Sequence, residues 1–346
     1  MSEIIEQQTG SSMSARELRN YAIGGGVALL FLLAMIFGGN EFRQQVINGL
    51  SLGAIYALIA LGYTMIYGVL RFINFAHGDV FMVGAFISFF AARAIEPAFV
   101  SDPTHVGDPG SAILVLIITM IGCGLLGVLI EFLAYRRLRN RPKLTVLITA
   151  IGISLFLEYT GQLPMVFGAD PRTYPTLIES SQIAITAGLT IGTKDIIVFS
   201  VAVVLMYLLR VIVMHTKIGT AMRAVSMNMG AASLMGVNLN FIISFTFFVG
   251  SALAGAGAVL YAMTYPKIDP LMGIIPGLKA FVAAVLGGIG NIPGAALGGF
   301  IIGGVETMTV GYINPAYRDA IVFGILILIL VLKPSGLLGK GGTEKV

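Results

Sequence analysis

The chain contains no tryptophan, a single cysteine and few charges, and each scarcity excludes something. With Cys123 alone there is no intramolecular disulfide, and its place inside an apolar run suits an inert buried thiol. Only 11% of the residues are charged, against about 25% in soluble domains, so an ordinary soluble globule is excluded. The three histidines, His77, His105 and His215, lie far apart. No H-E-x-x-H or serine–histidine constellation is present, so the chain is not expected to be an enzyme. Nor is there a G-x-x-x-x-G-K-[S/T] phosphate loop, so no nucleotide is expected to bind here by that device.

What is abundant is apolar. Hydrophobic residues make up 57% of the 346, mean hydropathy is +0.92, and 44 residues are glycine. This is the composition of an all-α polytopic membrane protein whose helices approach closely through small residues. Residues 1–20 read as a polar N-terminal tail, 21–338 as a single membrane domain, and 339–346 as a C-terminal tail. Apolar runs predict about ten transmembrane segments, some broken or short. They fall at Tyr21–Phe37 (an uncleaved span, because no small-x-small cleavage site follows), Gln44–Val69, Asp79–Ile95, Ala112–Ala134, Leu144–Phe167, Asp195–Met214 and Phe241–Met263. Two short or discontinuous spans follow within 276–311, then Arg318–Leu332. Gly49, Gly53 and Gly62 offer close-packing faces on the second.

Three polar stretches interrupt this pattern. The first, residues 70–80, holds Arg71, Asn74, His77 and Asp79, too polar for lipid without partners. It reads as a helix break, with Asp79 capping the next span; both a structural turn and a break lining a transport route or gate fit it. The second is the turn at 287–294, with Gly287, Gly288, Asn291 and Pro293. These two breaks fall in opposite halves of the chain and hint at an inverted repeat. The third, residues 215–240, is too polar to span and reads as a helical knob at the membrane surface. Ala221, Met222, Val225 and Met229 keep helical spacing. Asn228 is placed to cap a second short helix, Ala231 and Ala232 propagate it, Leu234 and Met235 supply apolar contacts, and Gly236 ends it in the left-handed region.

Charge sets the orientation. With ten spans and an inner N-terminus, Arg43, Arg93, Arg172, Lys194, Lys267, Lys279 and Arg318 face outward. The other fourteen of the 21 Lys and Arg face the cytoplasm, which is the expected bias. Both termini and the knob are then cytoplasmic. The basic cluster Arg136, Arg137, Arg139, Arg141 and Lys143 reads as a cytoplasmic anchor, and Glu131 is expected to pair with it. A nucleic-acid patch would need more length and interleaved aromatics, so none is implied. The long outer loop 168–193 is the largest docking candidate for an external protein.

The knob sequence Ala231-Ala232-Ser233-Leu234-Met235-Gly236 resembles the A-A-x-x-x-G part of the cytoplasmic coupling loop of ABC importer permeases, with Gly230 where many carry an acid. More specific are N-F-A-H-G-D at 74–79, the N-G-L-S-L-G-A-I-Y-A-L run before it, I-G-T-A-M-R-A-V at 218–225, and L-G-G-I-G-N-I-P-G-A at 286–295. Together, over about residues 44–340, they resemble the branched-chain amino acid permeases, the family of the high-affinity leucine, isoleucine and valine importers.

The resemblance implies a type II ABC importer-like fold in a bacterial inner membrane. It implies a permease subunit without a cofactor of its own, because ATP is bound by partners. Those partners would be a second related permease, two cytoplasmic ATPase subunits, an external solute-binding protein and membrane lipid. The solute would be a branched-chain amino acid, or a related small amino acid, amide or urea. Arg223, Asn228, Gly230, Ala231, Ala232, Leu234, Met235 and Gly236 would couple to the ATPase. Asn74, His77, Asp79, Gly287, Gly288, Asn291 and Pro293 would line the route or gate. The alternative is an ion-coupled secondary transporter or channel, for which Asp79, Glu158 and Glu306 are the acidic candidates.

Overall fold

A computed structural model describes residues 38–339 except 103, 104, 140 and 187. The span expected at 21–37 and the tail at 1–20 therefore lie outside the described residues, as does 340–346. Helix α1 (Asn40–Leu70) is the axis of the bundle: the apolar stretch of α1 is 94% buried inside the protein. Around it stand α2 (His77–Ile95), α3 (Pro109–Ile130, prolonged through a π-turn at Glu131–Tyr135 to Leu138) and α4 (Lys143–Gln162). Next come α5 (Thr193–His215), α6 (Lys217–Met227), α7 (Met229–Leu234) and α8 (Leu239–Thr264). Last are α9 (Ile274–Gly287), α10 (Ile292–Tyr312) and α11 (Arg318–Leu332). Among the described residues, 8 helices are long and apolar enough to cross a membrane, and α9 is a shorter apolar helix.

Helices carrying so many glycines hold together because the glycines let backbones touch. α1 and α10 run antiparallel in such contact: a Cβ on Gly303 would lie 2.3 Å from the Gly53 nitrogen, and one on Gly53 would lie 2.7 Å from Phe300 Cα. In lipid the association of helices rests on such packing, since hydrocarbon gives no hydrophobic drive between them. α3, α4, α5 and α11 form the outside. Their large side chains, such as Leu125, Phe156, Tyr207 and Val331, are exposed in the chain by itself, as expected of faces that meet lipid or another subunit.

Two boundaries differ from the hydropathy expectation. The fifth span stops at Gln162 rather than Phe167, because Leu163 is extended (φ −64°, ψ 137°) ahead of Pro164, and a residue before proline avoids the helical region. Of the two short spans expected within 276–311, only α9, with 14 residues, is short; α10 has 21.

The two ends of the bundle differ. At one, α6 and α7 form the knob. At the other, the loops are stitched together: β1 (Arg172–Thr173) pairs antiparallel with β4 (Lys267–Ile268), and β2 (Gln182–Thr186) with β3 (Leu189–Gly192). A parallel bridge joins Val106 to Thr176. The expected docking loop 168–193 is thus a small ordered lid with an exposed hairpin strand, β2.

Candidate functional site

The knob is built by local capping. Thr216 caps α6 by accepting from the Gly219 N–H at 3.0 Å, and Asn228 caps α7 by accepting from the Ala231 N–H at 3.0 Å. Each satisfies one of the orphan donors at a helix start. Gly236 closes α7 at φ 82°, with its N–H on the Ser233 carbonyl at 3.0 Å. Met222, Val225 and Ala232 turn inward and are buried, while Met227, Leu234 and Met235 stand 82%, 90% and 84% exposed.

This separates the expected coupling residues. Ala232 is 4% exposed and belongs to the chain's own core, so the outward face of the knob presents Ala231, Leu234 and Met235, not Ala232. Arg223 donates to the Val213 carbonyl, tying α6 back to the end of α5. Gly230 is exposed beside Asn228. A residue outside that set links the knob to the bundle: Arg71, in the left-handed region (φ 55°) just past α1, donates to the Ser226 carbonyl at 3.2 Å. Beside the knob, a groove of about 610 Å³ runs between Met229 and Ser233 on one wall and Arg139, Arg141 and Lys143 on the other.

In the 70–80 break, Asn74 is buried and accepts from the Tyr135 hydroxyl at 2.6 Å. His77 is fully buried, its ring centroid 4.6 Å from that of Tyr63, and neither ring nitrogen has a hydrogen-bond partner among the described residues. The helix begins at His77 with Ala76 at the cap position, so Asp79 lies in the first turn and makes no cap hydrogen bond. The expected capping role fails because the helix starts two residues earlier than its apolar run. Asp79 instead accepts from the Ser154 hydroxyl of α4, with Glu158 beside it.

The 287–294 turn lies at the knob end. Gly288 (φ 103°) and Gly290 (φ 90°) make it tight, and Asn291 caps α10 by accepting from the Gly294 N–H at 3.1 Å. The C-terminal segment clasps it: the Asn291 side-chain amide donates to the Leu338 carbonyl at 2.7 Å, and the Leu337 N–H to the Leu286 carbonyl at 2.8 Å. Gly287 and Gly288 are enclosed while Pro293 is exposed. A Cβ on Gly68 would come within 3.8 Å of Gly290 Cα, which puts this turn at the same end as the exit from α1. The two breaks therefore do not take the mirrored places an inverted repeat would give them, and the four turn residues fold a clasp.

Glu131, buried in the π-turn of α3, pairs with Arg136 (2.9 Å) and Arg139 and accepts from the Ser244 hydroxyl of α8 at 2.8 Å. The expected pairing is met, and it pins the basic segment to the bundle.

The polar cluster that hydropathy missed lies toward the lid end. Lys279, counted on the outer side by charge, is buried within α9. Its ammonium is 2.7 Å from Glu306 Oε1 of α10 and 2.7 Å from Asp319 Oδ1 of α11. Tyr56 of α1 donates to the other Glu306 oxygen at 2.9 Å, and Arg318 Nε stands 3.5 Å from Asp319. These groups line a cleft of about 350 Å³ bounded by the 265–272 loop. The signals in the sequence were a lysine in an apolar segment and Glu306, read there as an acidic candidate for ion coupling.

Residues 45–330 match the family described as "Branched-chain amino acid transport system / permease component". The chain is 39% identical over 309 residues to the high-affinity branched-chain amino acid transport system permease protein BraD of Pseudomonas aeruginosa, covering 88% of this chain and 98% of BraD. It is 37% identical over 308 residues to LivH of Escherichia coli K12, a protein of the same description, with the same coverage of 88% and 98%. A probable branched-chain amino acid transport permease protein LivH of Methanocaldococcus jannaschii is 30% identical over 298 residues, covering 82% of this chain and 88% of that one. No solved structure matches.

Proposed function

The chain belongs to the branched-chain amino acid transport permease family, a family of ABC importer permeases, and from that membership we propose its substrate, its orientation and the way it is driven. The substrate is leucine, isoleucine or valine. The permease pairs with a second related permease in a bacterial inner membrane, with the knob end and both termini cytoplasmic. Two ATPase subunits grip the knob, and an external binding protein delivers solute to the lid formed by β1–β4 and the β2–β3 hairpin.

One observation carries the coupling role. A doubly capped helix pair holds Leu234 and Met235 out in solvent, while Arg71 fastens the same knob to the central helix. Large apolar side chains on a rigid polar-flanked protrusion mark a protein contact, and a push on this one reaches α1 directly. Cells lacking the chain should lose uptake of radiolabelled leucine and regain it on complementation; uptake unchanged by the deletion overturns the substrate assignment.

Orientation is tested separately. A cysteine at Thr176 should react with an impermeant thiol reagent on intact cells, and one at Arg139 only after permeabilisation. The native thiol gives no background because Cys123 is fully buried. Labelling of the 139 site on intact cells reverses the topology.

The 70–80 break serves the moving part of the route. A buried imidazole with no partner is a cost to stability, so His77→Leu should leave thermal stability unchanged or higher. Uptake should nevertheless fall. Normal uptake reduces the break to a turn.

A further inference from the structure

The cleft around Lys279 has a chemistry that the coupling machinery does not use. Its charges balance: Lys267, Lys279 and Arg318 stand against Asp269, Glu306 and Asp319. They are also layered. The Lys279 and Glu306 side chains are only 2% and 7% exposed and complete each other at 2.7 Å, so they form the floor. Arg318 and Asp319 are 51% and 39% exposed at the mouth, one cation and one anion 3.5 Å apart. Neighbours in sequence at a helix start, they make a solvated pair of the kind worth little by itself, while Asp319 is also anchored 2.7 Å from the Lys279 ammonium. A charge-balanced lining with a buried floor disfavours a ligand of net charge, because an unpaired buried charge is costly.

The rest of the lining is mixed: Lys267 and Asp269 add a second cation and anion, and Leu52, Met272 and Ile275 supply an apolar patch. Its volume of about 350 Å³ is at the small end of ligand pockets, which suits a solute of amino-acid size.

We propose that this cleft is an amino-acid station within the permease. Arg318 takes the α-carboxylate, Asp319 takes the α-ammonium, and the aliphatic side chain lies against Leu52, Met272 and Ile275. The phenol hydroxyls of Tyr261 and Tyr265, which also line the cleft, stay protonated at neutral pH as phenols ordinarily do and can donate to the carboxylate. The buried Lys279–Glu306 pair holds α9 against α10 and keeps the floor neutral. Solute handed over at the lid would therefore be recognised a second time, by its zwitterion, before it moves inward. This assignment of a site rests on the branched-chain substrate proposed above.

The test is direct binding of tritiated leucine to the purified full-length permease in lipid nanodiscs, without the binding protein. Saturable binding is expected, displaced by unlabelled leucine and valine. It should not be displaced by 4-methylpentanoate, which lacks the ammonium, or by 3-methylbutylamine, which lacks the carboxylate. Arg318→Gln and Asp319→Asn should each weaken binding by about tenfold or more, the loss typical of one charge-assisted contact.

Both positions are half-exposed, so folding should survive, and thermal unfolding of each variant checks that. Should either variant prove unstable, displacement by the two one-charge analogues on the wild-type protein decides alone. Absence of saturable binding, equal displacement by either analogue, or unchanged affinity in both stable variants overturns the site. If cells import leucine through the chain while the nanodisc permease binds none, the station is wrong and the substrate stands. If cells import none, the substrate assignment itself has failed.

Discussion

Replacing Leu234 by glutamate should leave the permease folded in the membrane but cut off from ATP hydrolysis. Leu234 is 90% exposed, so in the isolated subunit the change falls among surface substitutions worth within about ±0.5 kcal/mol. In the proposed coupling contact, with the knob in a groove of the ATPase, the same carboxylate is buried without a partner, at a cost of about 3–5 kcal/mol. At about 1.4 kcal/mol per tenfold, docking weakens by two to three orders of magnitude. The neighbouring position separates the two effects. Ala232 is 4% exposed and faces the chain's own core, so Ala232→Glu should damage the knob itself and lower the yield of folded protein. Co-purification of the ATPase subunits and leucine-stimulated ATP hydrolysis are the measurements. Wild-type recruitment and hydrolysis with Leu234→Glu would remove the knob from the coupling contact.

Lys279→Met should be the most damaging substitution inside the bundle. The Lys279 ammonium lies 2.7 Å from both Glu306 and Asp319, and the Glu306 side chain is only 7% exposed. Without the cation, Glu306 keeps the Tyr56 hydroxyl at 2.9 Å but no close ammonium, and removing one partner of a buried pair costs about 3–5 kcal/mol. A domain is stable by about 5–15 kcal/mol in all, so the variant should unfold at markedly lower temperature or fail to accumulate. The double variant Lys279→Met with Glu306→Leu removes the uncompensated charge as well. It should recover most of the loss, because apolar groups of similar volume replace buried ion pairs at little cost. Asp319, 39% exposed, can then be solvated. Thermal unfolding in detergent measures both variants; a single variant as stable as the parent, or a double variant worse than the single, shows that the pair is not what holds α9 to α10 and α11.

The spans were legible because crossing a membrane is a one-dimensional requirement. A helix must carry enough consecutive apolar residues, and every span expected within the described residues has its helix. The cap of α7 was legible for a related reason. Asn228 to Ala231 is a contact three residues apart, so side-chain chemistry and the start of the helix suffice. Asp79 shows where that fails. Moving a helix start by two residues turns a cap into a first-turn carboxylate, and only the approach of α4 supplies Ser154 as its partner.

The orientation of α7 needed the structure as well. It has 6 residues, less than two turns, too few for a hydropathy period to say which face is buried. Packing put Ala232 inside and Leu234 outside.

The amino-acid sequence by itself determined what is local or cumulative: a helical membrane protein, its span order, the knob with its caps and terminal glycine, and the motifs that place it in its family. Tertiary structure alone decided which distant residues meet. Tyr56, Lys279, Glu306 and Asp319 come from four helices, and Glu131 finds Ser244 across 113 residues of chain. Nothing in the periodicity of one helix encodes its azimuth against another. That angle is settled when glycine faces such as Gly53 and Gly303 allow backbones to touch, and buried charges must then find their partners wherever the touching helices have carried them.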